Sequence, residues 1–275
     1  MSVLASDTLK VPGASLYYEV GGAGPVLLFI AGGSTDAGIF GPVAAMLADA
    51  YTVVTYDPRG NSRSPLDGPA EDQRIDVHAN DARLLLEKLS GGPARVFGSS
   101  SGAIVGLDLV VRYPELIRVV VAHEPPAVEL LVDPTAERAF FAEVYERFQR
   151  EGVEAAMQFF GTGTGMPDPP PPGVELPPPV AEMLDRFGRN NGFFLEHELR
   201  QFTSYVLDIP ALHAVADRIV LAGGADSGDY LPARPGAALA DRFDTDVTLL
   251  PGGHVGYMTN PVEFAAALRE VLAAR

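Results

Sequence analysis

Short runs of apolar residues recur along the chain, and each is followed by a loop that contains glycine and then by a segment with helical spacing. The runs are rich in Val, Ile and Leu, which is typical of strands buried on both faces of a sheet. We predict such strands at residues 26–30, 51–56, 94–97, 118–122, 218–222 and 246–250. With an antiparallel hairpin predicted around Pro12 and Gly13, they indicate a mostly parallel, twisted sheet of about eight strands flanked by helices.

Helical spacing is clearest in two segments outside these runs. Apolar positions fall on one side of a helix at residues 77–89 and again at residues 261–275. The second segment begins with Asn260 as a candidate N-cap and Pro261 at the first helical position, where a backbone N–H has no partner within the helix. The alternation of strand and helix therefore extends to the C-terminal part of the chain.

Residues 125–210 interrupt this alternation. Helical stretches are predicted at 135–152, 179–190 and 193–208, and no run between them resembles a buried strand. We therefore predict a helical cap at 125–210, inserted into a core domain formed by residues 1–124 and 211–275. Inside the cap, the stretch MPDPPPPGVELPPP at 166–179 is expected to be an extended surface loop, because proline lacks a backbone donor and fixes φ. It is interpreted as a linker between cap helices, with a lid or a docking segment as the alternatives.

The composition narrows the possible functions. With 275 residues the chain is long enough for one large domain, which buries roughly 75% of the surface of its unfolded chain. Its 20 Lys and Arg against 36 Asp and Glu give a net charge of -16, which disfavours nucleic acids and anionic membranes as partners. The absence of cysteine excludes disulfides, thiolate catalysis and cysteine-ligated metals. No secretory signal and no apolar run of membrane-spanning length is recognised, so a soluble, cytoplasmic monomer or homodimer is expected.

The stretch VFGSSSGAIVG carries the strongest candidate for chemistry. Residues 98–102 satisfy G-x-S-x-G with Ser100 at the centre, directly after a predicted buried strand and before a predicted helix. A sharp turn from strand to helix needs small residues two positions before and after its apex, because the helix packs back against the strand. The side chain at the apex is then exposed on a strained backbone. This context predicts that Ser100 is a nucleophile.

Four further loops, together with the serine turn, resemble those of the α/β-hydrolase superfamily and follow one another along the chain in the family's order. The resemblance covers roughly residues 9–123 and 217–274. Besides the serine turn, VVTYDPRGNSRS is similar to the family's D-x-R-G-x-G-x-S loop, with Ser62 in place of the middle glycine. The stretch LLFIAGGSTDAGIF stands where the family has its His-Gly oxyanion loop, with Ala31 in place of the histidine. LAGGADS and LPGGHVGYMTNP match the acid and histidine turns. The resemblance implies an α/β-hydrolase fold with a helical cap and a serine esterase or lactonase activity, and it implies no metal or organic cofactor.

A serine nucleophile requires two partner residues, a base and an acid. A serine hydroxyl is un-ionised at neutral pH and needs a base, which in turn needs an orienting acid. His254 follows a predicted strand and two glycines, and it is the candidate base. Asp226, after RIVLAGG, completes the chain order Ser, Asp, His of this superfamily and is the preferred acid. Glu124 is the alternative acid, because some family members carry their acid after the strand that here lies at 118–122.

The family pattern also assigns the groups around the reacting carbonyl. It places the oxyanion hole at the backbone N–H groups of Gly33 and Ser101, and loss of one such donor typically costs ~3–4 kcal/mol of transition-state stabilisation. Ser34 is a candidate for a further hydrogen bond beside this loop. The candidate lining of an apolar substrate pocket under the cap consists of Phe159, Phe160, Met166 and Tyr205.

These observations predict that Ser100 attacks a small, apolar carboxylic ester or lactone, that His254 transfers the proton, and that water cleaves the acyl-enzyme. The same triad could instead hydrolyse a carbon–carbon bond in a diketone or catalyse a cofactor-free perhydrolase or haloperoxidase reaction. A non-catalytic protein that binds small molecules on a hydrolase scaffold is the alternative from another class. The presence of all three triad residue types argues against that alternative.

Overall fold

An eight-stranded sheet lies at the centre of the structure, which is a computed structural model describing residues 4–166 and 175–275. In chain order its strands are β1 Ala5–Val11, β2 Ala14–Gly22, β3 Val26–Ile30, β4 Thr52–Tyr56, β5 Ala94–Ser99, β6 Ile117–His123, β7 Ile219–Gly224 and β8 Thr248–Leu250. They lie side by side in the order β1-β2-β4-β3-β5-β6-β7-β8. The pairs β1-β2 and β2-β4 are antiparallel, and all the others are parallel. The predicted fold class, with its N-terminal hairpin, is confirmed.

Helices cover both faces of this sheet. Their bounds are α1 Gly41–Leu47, α2 Ile75–Leu89, α3 Ser101–Arg112, α4 Thr135–Glu151, α5 Val153–Thr164, α6 Pro178–Phe193, α7 Leu199–Thr203, α8 Ile209–His213, α9 Ala233–Phe243, α10 Gly256–Thr259 and α11 Pro261–Ala273. One apolar core joins the sheet to α2, α3 and α9, and the other joins it to α1 and α11. In β3 every residue is buried, with Leu28 in the first core and Phe29 in the second, because successive side chains of a strand point to opposite faces.

Between β6 and β7 the described residues form no strand and contain α4 to α8. A π-helical turn, Phe194–Glu198, joins α6 to α7, and such turns are often found at functional sites. The helix α5 was not predicted, because its last turns alternate glycine and threonine, which have low helix propensity. The hydroxyls of Thr162 and Thr164 donate back to backbone carbonyls one turn earlier, at 3.0 and 2.8 Å.

The proline-rich stretch is described only at its ends. Residues 167–174, which form most of the predicted loop, lie outside the described residues. At the C-terminal end the predicted boundary is wrong, since Pro178 and Pro179 begin α6. Proline is accommodated in the first turn of a helix, where the backbone N–H groups have no partner within the helix. The domain boundaries at 124/125 and 210/211 stay a prediction.

Candidate active site

The turn from β5 into α3 presents Ser100. Its backbone has φ 56 and ψ -129, a conformation that is strained for a residue other than glycine. Two glycines make room for the turn. A Cβ at Gly98 would lie 2.3 Å from the carbonyl oxygen of Gly102, and a Cβ at Gly102 would lie 2.2 Å from that of Ile30. The structure therefore contains the sharp strand-to-helix turn that the G-x-S-x-G spacing predicts.

The backbone next to Ser100 offers a free amide and a close neighbour. The N–H of Ser101, the first residue of α3, belongs to the first helical turn and has no acceptor within the helix. The N–H of Ser100 itself donates to the carbonyl of His123 at 2.9 Å, which ties the turn to β6. A Cβ at Gly32 would lie 2.9 Å from Cβ of Ser100 and 3.4 Å from its Oγ. The loop after β3 thus lies directly against the serine turn.

His254 lies in the loop after β8 and is held by a carboxylate. Its Nδ1 is 2.6 Å from Oε2 of Glu124, which follows β6. The other oxygen of Glu124 accepts the N–H of Gly224 at 2.7 Å. An imidazole that donates from Nδ1 keeps Nε2 available as a proton acceptor. The arrangement can therefore serve as the base and the acid of a serine triad.

Asp226, the preferred acid in the sequence analysis, lies elsewhere. Within the described residues it forms no hydrogen bond or ion pair with His254; its side chain is exposed, and its N–H donates to the carbonyl of Gly252 at 2.9 Å. The partner of His254 is the alternative acid, Glu124. Both carboxylates follow neighbouring strands, so the strand pattern does not separate them. The left-handed backbone of Glu124, at φ 48, is a local conformation that sequence patterns do not predict for glutamate.

The contact with His254 outweighs burial and favours an ionised carboxylate at Glu124. Burial alone would raise the pKa of Glu124, but the hydrogen bond and the charge of His254 lower it to about 2. The ring of His123 is fully buried and stacks on His254, with ring centres 6.1 Å apart, and burial lowers the pKa of His123 to about 4. Nδ1 of His123 is 3.2 Å from Oγ of Ser99, which donates to the hydroxyl of Tyr257 at 3.3 Å. The small side chain of Ser99 thus leaves room for the His123 ring behind the serine turn.

Residues 31–35, which the family resemblance predicts to be the oxyanion loop and which we call by that name, are held by the helical insertion. Ser34 has φ 57, and its carbonyl accepts Nδ2 of Asn190 in α6 at 3.1 Å. The same Asn190 accepts the N–H of Ser62 at 2.8 Å and donates to its hydroxyl at 2.9 Å. A side chain from α6 therefore supports a loop in which Ala31 replaces the family's histidine.

Aromatic residues of the insertion reach the oxyanion loop. A Cβ at Gly33 would lie 2.2 Å from the ring of Phe194, in the π turn. The ring of Phe160 meets that of Phe194 with centres 5.5 Å apart. Of the predicted pocket residues, Phe160 therefore packs against the aromatic cover of the loop. Phe194 itself was missed, because its spacing in the sequence is that of an ordinary core residue of a helix.

The other predicted pocket residues make contacts elsewhere. The guanidinium of Arg147 lies over the ring of Phe159, 4.2 Å from the centre of that ring. Met166 packs against the core on the α1 and α11 face of the sheet. The hydroxyl of Tyr205 donates to Asp108 at 2.6 Å, about two helical turns along α3 from Ser100. Both Phe159 and Tyr205 thus make contacts that stabilise the fold. The contact of Tyr205 is expected, because a half-buried tyrosine hydroxyl requires a hydrogen-bond partner.

A small cavity beneath the oxyanion loop contains a buried carboxyl group. Its volume is about 10 Å³, enough for one water molecule, and its lining includes Gly33, Ser101 and Glu198. Glu198, the last residue of the π turn, is 2% exposed and accepts Nδ2 of Asn61 at 2.8 Å. Burial raises the pKa of Glu198 to about 7. Sequence reasoning missed this residue because a single glutamate in an amphipathic helix carries no motif.

Across residues 4–166 and 175–275 no group of three or more His, Asp or Glu side chains is placed to hold a metal ion. None of the helices described there is long and apolar enough to cross a membrane.

The strand order, the serine turn and the paired histidine and glutamate define an α/β hydrolase. The chain belongs to the alpha/beta hydrolase family, whose model matches residues 27–267. It is 39% identical over 272 residues to the "Uncharacterized hydrolase YraK" of Bacillus subtilis strain 168, covering 97% of this chain and 96% of that protein.

Solved structures share the fold at low identity. The enol-lactonase from Burkholderia xenovorans LB400 superposes with a TM-score of 0.71 and 17% identity, covering 97% of this chain and 100% of that one. The N-acyl homoserine lactonase AidH superposes with a TM-score of 0.73 and 20% identity, covering 98% and 96%. The family and the relative from Bacillus subtilis make the protein a hydrolase by class.

Proposed function

We propose that the protein is a serine hydrolase that cleaves a carboxylic ester or a lactone at Ser100. The observation that carries this proposal is the 2.6 Å hydrogen bond from His254 to Glu124, at the end of β6, where the N–H of Ser100 on its strained turn donates to the carbonyl of His123. A buried carboxylate on Nδ1 of an imidazole is the arrangement that turns a neighbouring serine into a nucleophile. The acid in this proposal is Glu124, in place of Asp226.

In the proposed reaction the hydroxyl oxygen of Ser100 attacks the carbonyl carbon while Nε2 of His254 takes its proton. Glu124 stays ionised and stabilises the imidazolium that forms. The backbone N–H groups of Gly33 and Ser101 hold the oxyanion. The bond to the leaving alcohol then breaks as His254 returns the proton, and water attacks the acyl-enzyme by the same steps.

The surroundings of the serine support a small, uncharged substrate. Phe194 and Phe160 provide an apolar cover beside the oxyanion loop. The net charge of -16 disfavours anionic substrates at long range. Two structural neighbours are lactonases by name, which supports including lactones beside simple esters.

A panel of neutral esters of increasing acyl length and of lactones of increasing ring size tests this function. We expect saturable hydrolysis of at least one of them, and a loss of about 10⁶-fold in kcat for Ser100→Ala if the triad acts as a unit. Ser101→Ala is the matched neighbour; it keeps its backbone N–H and should lose less than about tenfold. Equal losses in the two variants, or hydrolysis that survives Ser100→Ala, would contradict the proposal.

A further inference from the structure

The π turn Phe194–Glu198 places a carboxyl group beneath the oxyanion loop. One cavity of about 10 Å³ is lined by Glu198 and by Gly33 and Ser101, whose amides are the proposed oxyanion donors. The backbone N–H of Ser34, the residue after Gly33, faces the carboxyl of Glu198 and lowers its pKa. Asn61, in the loop after β4, donates to the same carboxyl at 2.8 Å, so Glu198 lies between that loop and the loop that carries Gly33.

We propose that Glu198 is a positioning residue of the oxyanion hole and acts in its uncharged form. This inference rests on the proposed acyl transfer at Ser100. When neutral, Glu198 holds the Ser34 amide and adds no charge to the site. When ionised, it places a second negative charge beside the developing oxyanion, and in the protein interior this repulsion opposes the transition state.

The groups that face Glu198 do not change charge near neutral pH. Tyr56 and His78 line the same cavity, and burial raises the pKa of Tyr56 and lowers that of His78 to about 3. Behind them Arg59 and Asp81 form a buried ion pair at 2.5 Å. Burial raises the pKa of Glu198 to about 7, against the opposite effect of its hydrogen bonds from Asn61 and Ser34. Among the described residues lining this cavity, Glu198 is therefore the group that ionises between about pH 6 and pH 8.

The ionisable neighbours of Glu198 along its own segment face other groups. Glu196 accepts hydrogen bonds from Tyr145 and Gln149, at 3.4 and 3.0 Å. The guanidinium of Arg200 lies 3.6 Å from the ring centre of Tyr145. Nδ1 of His197 is 3.5 Å from Oδ1 of Asp72. Glu196 is thus a glutamate of the same π turn that points away from the cavity, and it provides a matched control.

The pH profile of ester hydrolysis tests the inference. In the wild type kcat should fall roughly 10- to 100-fold above about pH 7, as Glu198 ionises, with a smaller change in KM. In Glu198→Gln the amide stays neutral, and the alkaline fall should disappear. Glu196→Gln should keep the wild-type profile. Asn61→Ala removes a donor that favours the carboxylate, so the fall should move to higher pH.

Thermal unfolding provides a readout that does not need turnover. The folded chain keeps the Glu198 proton up to a higher pH than the unfolded chain does. As the pH rises from about 5 to about 7, the melting temperature of the wild type should therefore fall relative to that of Glu198→Gln.

The results separate this inference from the proposed function. A Ser100-dependent hydrolase whose alkaline fall persists in Glu198→Gln, or shifts to lower pH in Asn61→Ala, overturns the role of Glu198 alone. A parallel pH dependence of melting in wild type and Glu198→Gln overturns it as well. Hydrolysis that is absent at every pH, or that survives Ser100→Ala, contradicts the proposed function instead.

Discussion

Glu124 and His254 form the contact on which the proposed chemistry depends. Burial raises the pKa of Glu124, but the hydrogen bond and the charge of His254 outweigh it and lower the pKa to about 2, so the carboxylate is ionised at neutral pH. Its second oxygen is occupied by the N–H of Gly224 at 2.7 Å. Both carboxylate oxygens of Glu124 are therefore engaged. Its contact with Nδ1 favours the tautomer of His254 that leaves Nε2 free.

Substituting each candidate acid by its amide tests this contact. In Glu124→Gln the amide cannot stabilise an imidazolium, and we expect kcat/KM to fall by about 10³- to 10⁴-fold. In Asp226→Asn, whose side chain is exposed, we expect a change within about twofold. Steady-state hydrolysis of one ester by both variants is the measurement. A larger loss in Asp226→Asn would contradict the assignment of Glu124.

At the scale of elements, α6 is fastened to the oxyanion loop. Nε of Arg186 in α6 is 2.5 Å from Oδ2 of Asp36, which is fully buried at the end of that loop. Asp36 also accepts the N–H of Gly38 at 2.8 Å. One turn further along α6, Asn190 bonds to Ser34 and Ser62. The helical insertion therefore contributes to the shape of the site as well as covering it.

Removing this ion pair should destabilise the whole fold. Arg186→Met leaves the buried side chain of Asp36 without its cationic partner, and we expect the free energy of unfolding to fall by about 3 kcal/mol. Arg189→Met is the control, because Arg189 pairs with Asp185 in solvent and exposed pairs contribute only about 0–1 kcal/mol. Urea denaturation of both variants measures the difference. Equal stabilities would show that α6 is not held by Asp36.

Periodicity explains which elements could be predicted. Buried runs such as that of β3, and one-sided helices such as α2 and α4, follow from the pattern of apolar positions. The helix α5 could not be predicted in this way, because tertiary packing of Phe160 and its neighbours overrides the poor helix propensity of its glycines. The serine turn was predictable because its glycines are required by backbone contacts. Which carboxylate contacts His254 could not be decided from the sequence, because Glu124 reaches His254 from a left-handed backbone conformation.

At the scale of the whole molecule, the sheet order brings distant residues to one edge. Ser100 follows β5, Glu124 follows β6, and His254 follows β8, and the parallel order β5-β6-β7-β8 puts the carboxyl ends of these strands side by side. Ligands bind at this edge in open α/β sheets. The family, the fold and the position of the site could thus be expected from sequence, whereas the contacts made by the helical insertion required the structure.

The central claim is that Ser100 is an activated nucleophile, and labelling with a fluorophosphonate probe tests it most directly. The probe phosphonylates serines that are activated by a base and an oxyanion hole. We predict one adduct per chain by intact mass, mapped to the peptide that contains Ser100, and none in Ser100→Ala. No labelling of the native protein, or labelling that survives Ser100→Ala, would contradict the account.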